Sequence, residues 1–163
     1  MESDIVGSAL TKPVAPPPAG QNSCLIVLAH PLGSSLNAAL AGHVRTCAEA
    51  RNWSVGFRDL YASGFQSALS AGERVSCYGG RFDAAGVAAE IAELDAADVL
   101  ILVCPTWWFG FPAILTGWFD RVWAPGIAFD HSPGFGPMLS RLDNLREVLV
   151  VTTMGAPAWI DWL

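Results

Sequence analysis

Three short segments hold the side chains whose types and spacing suit ligand binding. Residues 29–37 read AHPLGSSLN, residues 104–110 read CPTWWFG, and residues 152–157 read TTMGAP. The serines of the first segment precede a helical pattern, where free backbone amides favour a phosphate, although helix capping explains the same serines equally well. The aromatic side chains of the second segment suit a flat apolar ring. The hydroxyls and glycine of the third suit the polar edge of a heterocycle.

Motifs for several other chemistries are absent from the sequence. There is no GxGxxG or GxxxxGK[ST] motif, which argues against an ordinary Rossmann dehydrogenase or an NTPase. There is no GxSxG elbow for serine hydrolysis. The histidines His30, His43 and His131 lack metal-ligand spacing, so we expect no metal site. A net charge of −6 without a basic run argues against nucleic acid or an anionic membrane surface as the main partner.

The aromatic segment lies within 21 uncharged residues, 99–119, a length that would permit a membrane-spanning helix. Pro105 and Pro112 would break such a helix, so the competing interpretation is favoured. It predicts a buried strand at 99–103, an aromatic loop at 104–111 and a helix at 112–122. We therefore expect no transmembrane segment.

The remaining pattern alternates strands and helices. Apolar runs predict strands at 24–29 and 53–60 and a fourth, buried strand at 147–153, and residues 134–146 are predicted as a loop. Leu36, Leu40, Val44 and Cys47 recur at helical spacing, and Asp83 is placed to cap a helix that carries Val87, Ile91 and Leu94 on one face. Such alternation predicts a parallel sheet with helices on both faces, and ligands of such sheets bind beyond the carboxyl ends of the strands. The three segments leave those ends.

Domain organisation and compartment follow from composition. The proline-rich residues 1–22 predict a disordered extension, and residues 23–163 have the size of one domain. The four cysteines are widely spaced without a CxxC pair, which favours a reducing, cytoplasmic compartment over a disulfide framework.

Four stretches together resemble the NAD(P)H:quinone oxidoreductases of the flavodoxin-like fold, the DT-diaphorase and modulator of drug activity family. They are LIVLAHPLGSSLNAAL, RDLYASGFQSALSAGER, LDAADVLILVCPTWWFGFPAILTGWFDRVW and VVTTMGAP. The resemblance implies a doubly wound, three-layer α/β/α fold with bound FAD, or FMN as the alternative. It also implies a homodimer in which NAD(P)H reduces the flavin and a quinone then reoxidises it, in a two-electron, ping-pong hydride transfer.

The resemblance also implies the site, in which the flavin carries the reaction and no catalytic side chain is assigned. The implied cofactor-binding residues are His30, Ser34, Ser35, Leu36, Asn37, Ala39, Pro105, Thr106, Trp107, Trp108, Phe109, Thr152, Thr153, Met154 and Gly155. The implied substrate-binding residues are Trp108 and Phe109, together with Phe129 and His131 across the dimer interface.

Two departures from the family pattern keep other functions open. The family's tyrosine after the fourth strand is missing, because the matching region reads GAPAWID, and Trp159 cannot titrate in its place. The sequence also ends where a last βα unit is expected, which predicts a truncated domain. A non-catalytic regulatory subunit, similar to the ancillary subunits of potassium-efflux systems, and a one-electron flavodoxin-type carrier therefore remain as alternatives.

Overall fold

The structure, a computed structural model, describes residues 22–78, 82–131 and 136–155. The elements are β1 (Ser23–Leu28), α1 (Leu36–Glu49), β2 (Ser54–Asp59), α2 (Ala71–Tyr78), α3 (Ala88–Asp95), β3 (Val99–Pro105), α4 (Ala113–Val122), β4 (Phe129–His131), β5 (Met138–Ser140) and β6 (Glu147–Thr153). A short 3₁₀ turn, Ala85–Val87, precedes α3. The predicted extension lies outside the described residues except for Asn22, whose carbonyl accepts a hydrogen bond from the Ser54 amide.

The main sheet is parallel, with the strand order β2-β1-β3-β6. The chain moves from β1 to β2 on one side and then crosses to β3 on the other side of β1. The order of strands therefore reverses between β1 and β3, and ligands of open parallel sheets bind beyond the carboxyl ends of the strands at such a point. The loops that follow β1 and β3 are the first two segments singled out in the sequence.

Alternate residues of the central strands face two separate hydrophobic cores. Leu25, Val27 and Leu100 face a core that includes Leu115 and Trp118 of α4. The opposite face packs against α1, through buried residues such as Ala41 and Ala48 and the partly buried Val44. This arrangement is a three-layer α/β/α sandwich, so the expected flavodoxin-like fold class is confirmed.

The uncharged segment 99–119 forms a strand, a loop and a helix, as the favoured interpretation predicts. The strand is longer than predicted, because Cys104 and Pro105 pair with Thr152 and Thr153 of β6 and belong to β3, not to the loop. Within the described ranges, no helix is both long and apolar enough to cross a bilayer.

The bounds of β6 match the prediction, but its burial does not. Val148, Leu149 and Val150 are 43–47% exposed, although a buried strand was predicted. β6 pairs with β3 and lies at the edge of the described sheet. Within the described residues, only Val151 of this strand packs against a core, on the side of α1.

Three elements were not predicted: α2 and the two short strands β4 and β5. α2 begins with a reciprocal cap in which the Ser70 amide donates to Glu73 Oε2 at 2.7 Å and the Glu73 amide donates to Ser70 Oγ at 3.1 Å. β5 lies inside the predicted loop 134–146, because Met138–Ser140 pairs antiparallel with β4. A strand of three residues leaves too short a pattern to be recognised in the sequence.

Candidate flavin-binding site

A cleft of about 430 Å³ lies at the carboxyl ends of β3 and β6. It is lined by Pro105, Thr106, Trp107, Trp108, Phe109, Thr153, Met154 and Gly155. All of these residues were predicted as site residues from the sequence, in two segments that are separated by more than 40 residues. The parallel pairing of β3 with β6 brings the two segments together, so one wall of the cleft is aromatic and the other is polar.

The aromatic wall is a tight turn held by its own backbone. The Trp107 and Gly110 amides each donate to the other residue's carbonyl, at 3.0 and 3.1 Å. The two residues between them have positive φ angles, 51° at Trp108 and 60° at Phe109. Large side chains rarely adopt this conformation, which costs about 1–2 kcal/mol per residue. In this strained turn, 97% of the surface of Trp108 and 73% of the surface of Phe109 are exposed. Retained strain of this kind concentrates at functional sites.

The polar wall is tied to the aromatic loop by two hydrogen bonds. The Thr106 amide donates to the Thr153 carbonyl at 2.8 Å, which extends the sheet ladder by one step. The hydroxyls of Thr106 and Thr152 lie 2.8 Å apart and also form a hydrogen bond. Thr152 is therefore bonded to a residue of the lining but does not itself line the cleft.

The first segment forms the start of α1 and is suited to an anion. Ser35 is the N-cap, and its Oγ accepts from the Ala38 amide at 3.1 Å, which leaves the hydroxyl hydrogen free to donate. The amides of Leu36 and Asn37 begin the helix and have no intrahelical acceptor. The first turn contains no acidic residue that would compete with an anion. Ser34 is exposed beside these donors.

His30 connects the first segment with the aromatic loop. Its Nδ1 accepts a hydrogen bond from the Leu32 amide at 3.1 Å, which assigns the neutral imidazole's proton to Nε2. Its ring centroid lies 6.2 Å from that of Trp107. His30 therefore offers a donor, Nε2–H, at the junction between the anion-binding turn and the aromatic wall.

Asn37 is placed differently from the expectation. It was predicted at the pyrophosphate and ribityl site, but its side chain is buried, with 3% of the residue exposed. Its Nδ2 donates to Thr153 Oγ1 at 2.9 Å. Its Oδ1 is buried without a hydrogen-bond partner among the described residues. An unsatisfied buried carbonyl oxygen is costly, and a ligand hydroxyl would satisfy it.

The other predicted residues are not all brought to the cleft. Leu36 and Ala39 are on the first turn of α1, where the Leu36 side chain is exposed and the Ala39 amide donates to the Ser35 carbonyl at 3.0 Å. Of the two, only the Leu36 backbone amide is therefore placed to serve an anion. Phe129 and His131 lie on β4, which pairs with β5, and Phe129 is not part of the lining of the cleft in this chain. Their placement in a partner's site stays a prediction.

A buried ion pair fixes α4, the helix that follows the aromatic loop. Arg121 donates to Glu73 Oε1 through Nε, at 2.9 Å, and through Nη2. Arg121 also donates to the Gln66 carbonyl. Burial raises the pKa of Glu73, but hydrogen bonds from Arg121 and Ser70 outweigh it and hold that pKa below its usual value. These residues were not predicted, although a charged residue in an apolar helix and the Ser70/Glu73 spacing of a helix cap were available signals.

Gly117, in the middle of α4, allows the chain that precedes α2 to approach the helix closely. A Cβ on Gly117 would meet the Ser67 carbonyl oxygen at 2.1 Å, so only glycine fits there. The helix therefore packs directly on the chain before α2. This contact and the ion pair anchor the helix from which the aromatic loop extends.

Cys104 lies in β3, directly before the cleft, and is fully buried. Burial raises the pKa of the Cys104 thiol, and a hydrogen bond with Thr152 only partly opposes this effect. The thiolate is the reactive form of cysteine, so a raised pKa argues against nucleophilic chemistry at this position.

Comparison with known proteins supports the geometric interpretation. The flavodoxin-like fold family matches residues 22–162. The chain is 32% identical over 151 residues to NAD(P)H dehydrogenase (quinone) 1 of Rattus norvegicus, covering 81% of this chain and 53% of the rat protein. It therefore spans about half the length of that relative.

Two solved structures are similar to this chain in fold and in sequence. The NAD(P)H:quinone oxidoreductase of Methanothermobacter marburgensis is 26% identical with a TM-score of 0.75, covering 86% of this chain and 70% of that one. General stress protein 14 of Treponema denticola, solved in complex with FMN, is 25% identical with a TM-score of 0.58, covering 83% and 64%. The chain therefore belongs to the flavodoxin-like fold family, and its resemblance to the NAD(P)H:quinone oxidoreductases within that family is confirmed.

Proposed function

We propose that this chain binds a flavin and is the flavin-binding part of an NAD(P)H-dependent quinone oxidoreductase. One observation carries the proposal: the aromatic cleft at the ends of β3 and β6 adjoins the start of α1, which follows β1, so the loops on both sides of the reversal in strand order lie together. Ligands of open parallel sheets bind at such points. The names of the relatives support the same reaction class.

The residues fit a flavin at both ends. The start of α1 offers the Ser34 and Ser35 hydroxyls and free backbone amides to a phosphate. The cleft offers a flat aromatic wall to the ring, and Gly155 allows close approach of the backbone to its polar edge. Between them, the unsatisfied Oδ1 of Asn37 is an acceptor for a ligand hydroxyl. The fit uses hydroxyls and amides and requires no basic side chain.

A bound flavin would supply the centre that accepts and releases hydride. The chain's own residues bind, orient and shield. Trp108 and Phe109 would stack against an incoming nicotinamide or quinone and exclude water from the ring face. The Thr106 and Thr153 backbone, locked by its 2.8 Å hydrogen bond, would hold the loops in a fixed geometry around the ring.

The finer assignments are also proposals. We favour FAD over FMN on the family resemblance, although a structural neighbour was solved with FMN. We propose a homodimer in which Phe129 and His131 complete the partner's cleft, because Trp108 is 97% exposed and leaves its own cleft open on that side. Four free cysteines support a reducing, cytoplasmic location.

Steady-state kinetics test the proposed activity. Initial rates of NADH and NADPH oxidation would be measured with a soluble benzoquinone at several concentrations of each substrate, after reconstitution with FAD or FMN. We expect parallel double-reciprocal lines, the pattern of one slot used in turn by donor and acceptor. If the chain binds flavin tightly but oxidises neither donor, the proposed oxidoreductase activity is contradicted and the function of a non-catalytic regulatory subunit is favoured.

A further inference from the structure

Asn37 and Thr153 are 116 residues apart in sequence, yet their side chains are joined by a 2.9 Å hydrogen bond. We propose that Asn37 is a positioning residue that couples the anion-binding end of the site to its ring-binding end. The inference rests on the proposed binding of a flavin. It assigns to Asn37 a role different from that of a phosphate ligand.

The burial of Asn37 separates it from the exposed anion-binding groups. The residue is 3% exposed, whereas Ser34 beside it is open to solvent. One of the two N–H groups of the side-chain amide donates to Thr153 Oγ1, which directs the amide nitrogen at the end of β6. The remaining oxygen, Oδ1, is an acceptor and would be repelled by a phosphate oxygen. The side chain is therefore directed at β6, whereas the backbone amide of the same residue lies at the start of α1, where an anion would bind.

Thr153 continues the connection to the aromatic loop. Its hydroxyl accepts from Asn37, and its carbonyl accepts from the Thr106 amide at 2.8 Å. The chain of contacts Asn37–Thr153–Thr106 thus joins the ends of all three segments, after β1, β3 and β6. Loss of the Asn37 side chain would release Thr153 on one side, and the effect would reach the residues that surround the ring.

The first test measures the coupling without any flavin. Hydrogen exchange of the peptide covering residues 105–111 would be followed in the apo chain, because the Thr106 amide reports the strand-end link. We expect faster exchange in Asn37→Ala and Thr153→Val and unchanged exchange in Thr153→Ser, which keeps the hydroxyl. Unchanged exchange in Asn37→Ala and Thr153→Val would overturn the proposal.

The second test separates coupling from phosphate binding. Affinities for FMN and for riboflavin, which lacks the phosphate, would be measured by flavin fluorescence at a temperature where circular dichroism shows every variant folded. We expect Asn37→Ala and Thr153→Val each to weaken both flavins about 3- to 10-fold, the worth of one neutral hydrogen bond. The double variant should be no weaker than Asn37→Ala alone, since Thr153→Val removes a bond that Asn37→Ala has already removed. Ser34→Ala, a change at the exposed anion end, should weaken FMN alone.

Two results would contradict the coupling. If Asn37→Ala weakens FMN and leaves riboflavin unchanged, Asn37 acts as a phosphate ligand. If the effects of the two single substitutions add in the double variant, the residues act independently. A failure of the unsubstituted chain to bind either flavin would contradict the proposed function itself, and the inference with it.

Discussion

Trp107 and Gly110 exchange two backbone hydrogen bonds, and this pair forces the two large aromatic residues between them into a left-handed conformation. Turns of this type usually contain asparagine and glycine, which tolerate positive φ. Here Trp108 and Phe109 occupy those positions. The turn is therefore less stable than one that contains asparagine and glycine, and it places aromatic surface beside the cleft.

Substitution of Phe109 should expose this conformational cost. Phe109→Gly is expected to be about 1 kcal/mol more stable than Phe109→Ala, because glycine adopts positive φ without steric conflict. Urea denaturation of the two variants measures the difference, and comparison with alanine removes the loss of the ring from the result. Equal stability, or a more stable alanine variant, would show that the turn is not strained.

Trp108→Ala should slow both halves of the proposed reaction while the flavin stays bound. The loss of a stacking wall for donor and acceptor is expected to reduce each rate about 3- to 10-fold. Stopped-flow reduction by NADH and reoxidation by a quinone measure the two rates separately. Val75→Ala, an exposed position on α2, serves as the control with unchanged rates. A variant that loses its flavin but regains both rates with excess flavin would assign Trp108 to cofactor retention.

Acid stability should depend on Asp98, which joins the starts of β1 and β3. The Ser23 amide and hydroxyl each donate to Asp98 Oδ2 at 2.8 Å and hold the pKa of that carboxyl below its usual value, with a smaller contribution from Arg146. A lowered folded-state pKa contributes stability above the unfolded value of about 3.9, and this stability is lost as the pH falls through the folded pKa.

The melting temperature of Asp98→Asn should therefore fall less steeply below about pH 4 than that of the unsubstituted chain. Thermal melts between neutral and acidic pH measure the two slopes. Glu49→Gln is the control, because its ion pair with Arg45 is half exposed and contributes little. Identical acid slopes in Asp98→Asn and the unsubstituted chain would be inconsistent with this account.

Arg121→Met should destabilise the fold by about 3–5 kcal/mol, because it leaves Glu73 charged and buried without its partner. The double variant Arg121→Met/Glu73→Gln should recover part of the loss, since glutamine removes the charge and can still cap α2. Urea denaturation at neutral pH measures both. Arg45→Met, at an exposed pair, should change stability by less than about 1 kcal/mol. If the double variant recovers none of the lost stability, the unpaired buried charge of Glu73 is not the cause of the destabilisation.

Much of the fold follows from local sequence patterns. The buried strand β3 and the helix behind Pro112 were predicted within two residues, because an uninterrupted apolar run and a helix-starting proline are strong local signals. The cleft was also predictable as two segments, since parallel strands end at the same edge of a sheet. Composition alone cannot distinguish a core tryptophan from a surface one: Trp118 is fully buried, whereas Trp108 is 97% exposed.

Other features depend on packing that local patterns do not contain. The first helix was expected to use Leu36 as an apolar position, but Leu36 is exposed and Asn37 is buried. The reason is the partner Thr153, which lies 116 residues away and cannot be read from the helix's own periodicity. The exposure of Val148 in β6 has a similar origin, since burial of a strand depends on which elements cover it.

The central claim is that the chain binds a flavin in the cleft between the aromatic turn and the start of α1. The most direct measurement is the visible absorption spectrum of the purified chain after incubation with FAD or FMN and gel filtration. We expect a flavin that elutes with the protein, at about one flavin per chain, and an absorption band that is shifted because Trp107 and Trp108 enclose the ring. A colourless protein after reconstitution with both flavins would contradict the account.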